Sequence, residues 1–156
     1  FKSDIVRPVL AFLALPGDLE ARIQLTTGIA LVESGLRYIR QESGPALGIC
    51  QMEPATHYDM WRAFFPSRPD LGNVVSCYLP ARFSVGTVAS AAALEESIAY
   101  SVVMAACRFY RSPVLLPARG DAEAMCAAWK SGYNTSAGKG TCDVARIALF
   151  RKAIDA

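Results

Sequence analysis

No stretch of the chain approaches the roughly 18 to 20 uninterrupted apolar residues that a membrane-spanning helix needs, so stable membrane insertion is not expected. Runs of like charge are missing as well. Sixteen Lys and Arg against 14 Asp and Glu leave a net charge of +2, too balanced for binding carried by phosphate neutralisation, and no nucleic-acid partner is expected. The five cysteines, Cys50, Cys77, Cys107, Cys126 and Cys142, are odd in number and include no C-x-x-C pair. That disfavours both zinc and a full disulfide framework, and no metal or cofactor is called for. Cys107 and Cys126 lie in apolar helical runs, where they read as small free hydrophobes and point to a reducing site of synthesis. There is one histidine, His57, and no G-x-S-x-G elbow to order a Ser-His-Asp triad; His57 reads as a helix-surface residue or a neighbour of a substrate cleft. Internal repeats, low-complexity tracts and Ser/Gly linkers are absent.

What remains is a chain of 156 residues, 53% hydrophobic and 19% charged, with a mean hydropathy of +0.25. This is too apolar for disorder and of a size for one domain, residues 1–156, around a single core. The pattern is a string of helices. Ile5, Val6, Val9, Leu10 and Leu13 recur at helical spacing and predict a helix over 3–14. Val9 to Leu15 resembles the core of a secretory signal, but Pro16-Gly17-Asp18 after it is a turn rather than a cleavage site. From Phe1 in place of Met, a trimmed terminus or an excised segment is expected. Asp18 predicts the N-cap of a second helix that ends at Ser34 before Gly35. Residues 37–52 are rich in Gly, Pro and Ser and predict irregular backbone or a short hairpin. Pro54 opens a third helix to Phe65, closed by Pro66 and Pro69. Residues 70–88 carry no clear signal. A long helix is expected over 89–110, another from the Asp121 N-cap through Lys130, and a last one over 142–153 capped by Thr141.

Glu33 is the residue that carries chemistry. It follows Ile29-Ala30-Leu31-Val32 at the end of an apolar helix, where desolvation and the negative helix terminus both raise a carboxyl pKa, as a general acid near neutral pH requires. Around it, Glu33-Ser34, then Gly48-Ile49-Cys50-Gln51, then Met52-Glu53-Pro54-Ala55-Thr56 resemble the E-S, G-L-M-Q and M-P-A-T signature of the lysozyme-like lytic transglycosylases. Tyr133-Asn134-Thr135, after Ala127-Ala128-Trp129, is similar to the Y-N motif of the same family. The longer strings GPALGICQMEPATH, SIAYSVVMAACRFYRSP and WKSGYNTSAGKGT resemble small bacteriophage muralytic proteins, and the likeness spans roughly residues 19–141. Ile49 and Cys50 stand at packing positions where the family has Leu and Met.

The resemblance implies a mainly α, lysozyme-like single domain of the α+β lysozyme superfamily, with a catalytic cleft that binds peptidoglycan glycan strands. It implies cleavage of the MurNAc-β-1,4-GlcNAc bond with Glu33 as first acid and then base, closing a 1,6-anhydro ring. Ser34 would orient Glu33, Tyr133 would hydrogen-bond near it, and Gln51 and Asn134 would hold the sugars. Such a protein would be made in the host bacterial cytoplasm and act at the cell wall, as an endolysin or a virion-associated protein, as a monomer or part of a virion assembly. A hydrolytic phage lysozyme would instead need a second carboxylate. Glu42, nine residues after Glu33, has that spacing, although Gly48 occupies the position where such lysozymes carry threonine; Glu53 and Asp59 are further candidates. A third expectation is a virion structural module that keeps the fold without turnover.

Overall fold

The computed structural model describes residues 1–85, 88–134 and 140–156, and it is mainly α-helical. A π-helical turn, Lys2–Val6, leads into α1 (Arg7–Leu13), and α2 spans Leu19–Ser34. Asp18 is the N-cap of α2, accepting from the Ala21 N–H at 3.0 Å, and the Gly35 N–H closes the far end on the Leu31 carbonyl. α3 (Pro54–Asp59) opens on its N1 proline and continues as a π-helical turn, Met60–Phe64, into the short α4 (Phe65–Ser67). The prolines expected to end this run do something else. Pro66 sits in α4 just past the π-helical turn, and Pro69 opens α5 (Pro69–Ser76), where a missing N–H has no intrahelical partner to lose.

Residues 84–85 and 88–89 form β1 and β2, an antiparallel pair in the register Ser84↔Ala89 and Val85↔Val88. The long helix expected over 89–110 is interrupted. α6 covers only Ala93–Glu96, Ser97 is extended, and its hydroxyl caps α7 (Ile98–Arg111) by accepting from the Tyr100 N–H at 3.1 Å. Serine competes with the helix for its own backbone there, which an alanine-rich pattern conceals. Asp121 caps α8 (Ala122–Ala128), which widens into the π-helical turn Trp129–Asn134. α9 runs over Val144–Asp155, and its cap is Asp143 rather than Thr141; the Thr141 hydroxyl instead donates to the Asp143 carboxylate at 2.9 Å.

One core joins these elements, with Trp129, Tyr100, Phe150, Met104 and Met125 among its largest fully buried side chains. α9 lies tight against α2 because Gly28 leaves room for a ring: a Cβ at that position would stand 2.1 Å from Phe150 Cδ1. Two expectations about single residues are corrected here. Cys126 is not a free hydrophobe but is disulfide-bonded to Cys142, which removes the ground for reading a reducing site of synthesis; Cys50 and Cys107 are the buried free thiols. His57 is not on a helix surface or at a cleft. It is fully buried, with Nε2 2.7 Å from the Tyr100 hydroxyl, which also accepts from the Trp61 indole N–H at 2.8 Å. Burial without a charged partner depresses the His57 pKa to about 4, so the ring is neutral.

Candidate active site

Glu33 occupies the last turn of α2, where the helix meets the segment 37–52. That segment folds on itself through the Arg40↔Leu47 and Leu47↔Met52 bridges, the latter with both N–H···O bonds at 2.9 Å. Gly48 is its pivot. With φ at +76° and the site of a Cβ 2.5 Å from the Leu94 carbonyl oxygen and 2.6 Å from Ser101 Oγ, no other residue fits without displacing the loop. The next peptides are clamped from three sides. The Cys50 N–H donates to Ser101 Oγ (3.3 Å), the Tyr133 hydroxyl donates to the Cys50 carbonyl (2.8 Å), and the Ser34 hydroxyl donates to the Ile49 carbonyl (2.7 Å). Gln51 follows in the left-handed region, φ +48°, with its Nε2 donating to the Gly48 carbonyl at 2.9 Å.

The carboxyl of Glu33 is met from the other side by the π-helical turn. The indole N–H of Trp129, a side chain only 1% exposed, donates to Oε1 at 2.7 Å. Lys130 Nζ donates to Asn134 Oδ1 at 2.9 Å, which leaves the Asn134 amide N–H to hydrogen-bond Glu33. Arg146, from α9, stacks 5.9 Å over the Trp129 ring and is ion-paired to Asp143; its attraction on the carboxylate is second to the indole bond and ahead of the Asn134 contact. Burial outweighs all three contacts. It raises the Glu33 pKa to about 7, although each of them favours the ionised form. The Tyr133 hydroxyl is likewise pushed well above its ordinary value, mainly by burial, so it stays protonated. Cys50, driven up to about 12, is an inert thiol.

A cavity of about 650 Å³ opens onto this group, lined by Glu33, Gln51, Tyr133 and Asn134 together with Trp129, Arg108, Arg146 and the loop residues Gln41 and Ser43. Four residues singled out from the sequence thus converge from α2, the 37–52 loop and the turn after α8. Ser34 does not: it is buried and ties α2 to the loop, with bonds to Ala30, Ile49 and Leu36. Glu42 is exposed and off the lining. Glu53 is exposed and on it, while Asp59 is ion-paired to Arg111 beside a second cavity. Thr135, the last residue of the Y-N string, falls outside the described residues. Trp129, Arg146 and Arg108 are site residues that sequence reasoning missed. Only Trp129 left a trace there, one helical turn ahead of Tyr133.

The described residues contain no cluster of three or more His, Cys, Asp or Glu able to hold a metal ion. What the arrangement provides is a proton carrier poised near neutrality on the wall of a polar cavity. No protein-family model, no curated protein and no solved structure matches the chain.

Proposed function

We propose that the chain is a peptidoglycan-cleaving enzyme of lysozyme-like fold, acting as a lytic transglycosylase on the MurNAc-β-1,4-GlcNAc bond. One observation carries this: a glutamate with a pKa near 7 at the wall of an amide- and hydroxyl-bearing cavity, held by a buried indole. The order of the three sequence motifs supports the choice of substrate.

Protonated Glu33 delivers its proton to the glycosidic oxygen as the bond from muramyl C1 breaks. The resulting carboxylate then takes the proton of the muramyl C6 hydroxyl, whose oxygen attacks C1 and closes the 1,6-anhydro ring. No water is consumed and the acid is regenerated, so one carboxyl suffices. Gln51 and Asn134 hold sugar hydroxyls, and Tyr133 and Ser34 fix the loop that presents Gln51. The hydrolytic alternative needs a second carboxylate. Glu42, exposed and off the lining, does not serve it; Glu53 is the carboxylate on the cavity wall. The protein would be made in a bacterial host cytoplasm and work on the wall, free or mounted on a virion.

Purified sacculi test the proposal. Glu33→Gln is expected to slow solubilisation by about 10²–10⁴-fold, and turnover at the parent rate by that variant would overturn it. Anhydromuramyl ends in the product mean transglycosylation, and reducing ends mean hydrolysis. Binding to insoluble sacculi without any release by the parent would point to a non-catalytic virion module.

A further inference from the structure

A second cavity of about 590 Å³ adjoins the first, and Thr56 and Arg108 line both. Its own charged residues are Asp59 and Arg111, which are ion-paired to each other. Their charges cancel, so Arg108 gives this hollow its net positive charge. The Arg108 guanidinium is half-buried, and its one hydrogen bond among the described residues is a long one, Nη1 to the Gly132 carbonyl at 3.4 Å. A guanidinium has five N–H donors in a planar fork that matches a carboxylate, so most of its donors have no partner among the described residues, on a side chain that lines both cavities.

We propose that the second cavity receives the acidic peptide borne by the muramyl sugar, with Arg108 binding one of its carboxylates; this rests on the peptidoglycan function proposed above. On an intact strand neither sugar is charged, because the lactyl carboxyl of the muramyl residue is consumed in its amide bond to the peptide. The anions of the substrate are therefore the carboxylates of the peptide. A peptide branching from a sugar seated beside Glu33 has to leave the first cavity sideways, and across the Thr56–Arg108 sill it meets a hollow of the right size and charge. Ser112 and Ser131, which also line it, suit the amide groups of such a chain. Arg108 is thus a specificity determinant for strands that carry charged peptides.

The test compares initial rates on intact sacculi with those on sacculi whose peptide carboxylates have been converted to amides by carbodiimide and ammonia. The parent is expected to cleave the intact wall about tenfold faster, the value of one charge-assisted hydrogen-bonded pair. Arg108→Gln should bring the ratio close to one, and Arg108→Lys should restore part of it. Because the readout is a ratio, a general loss of turnover or folded protein cancels. Should Arg108→Gln fail to fold, the parent ratio and that of Arg108→Lys decide. Equal rates on the two walls by the parent, or a tenfold ratio kept by Arg108→Gln, overturn this assignment alone. A parent that solubilises neither wall overturns the peptidoglycan function and this assignment with it.

Discussion

The indole N–H on Glu33 does two opposed things at once. It fixes Oε1 in place, and it stabilises the carboxylate that burial disfavours. Removing it should therefore raise the pKa further. With Glu33 working as an acid, the parent should lose activity as pH climbs through about 7. Trp129→Phe is expected to move that alkaline limb to higher pH while lowering the rate at pH 6 by about tenfold, the worth of a hydrogen bond to a charged group. A pH–rate profile checks this, and an unmoved limb would mean the bond is not made in solution. Glu33 itself was legible in the sequence because its signals are local: an apolar helix ahead of it, Gly35 behind. Trp129 was not, since its partner lies 96 positions away in the chain. His57 was misread for the same reason, its partner Tyr100 being supplied by α7.

At the level of elements, the π-helical turn after α8 and the loop after α2 build the site, and a covalent bond encloses the first of them. Cys126 and Cys142, 16 residues apart, bracket Trp129, Tyr133 and Asn134. Opening a loop of that length should cost about 3 kcal/mol of stability. Paired replacement by serine, or reduction of the parent with dithiothreitol, is expected to lower the unfolding free energy read from urea titrations by that amount and, on the proposed function, to depress wall solubilisation, because the turn that meets Glu33 then loses its covalent closure. Unchanged activity after full reduction would show that packing alone holds the turn. Helix starts with a capping residue or an N1 proline, at Asp18, Pro54 and Asp121, were readable from a few neighbouring residues. The break at Ser97 and the cap at Asp143 were hidden by better-looking local alternatives, and the cystine carried no motif at all.

For the molecule as a whole, two buried groups, Glu33 and His57, pull in opposite directions below pH 7. Glu33 rises from its ordinary 4.5 to about 7, so its contribution to stability is complete below 4.5 and disappears as pH rises through 7. His57 falls from 6.5 to about 4, so its contribution is complete above 6.5 and disappears as pH falls through 4. Between about 4.5 and 6.5 the folded chain carries a proton on Glu33, and the unfolded chain carries one on His57. Unfolding in that window moves a proton between residues but takes up and releases none, and the pair leaves stability level. Each replacement should expose the other group's slope. Relative to the parent, Glu33→Gln should gain stability with rising pH and His57→Gln should lose it, each by up to about 1.4 kcal/mol per pH unit. Urea titrations at pH 5 and pH 6 measure it, and variant curves parallel to the parent's would refute it. A buried carboxyl and a structural imidazole, with no bond between them, would then jointly make the fold indifferent to mild acidification.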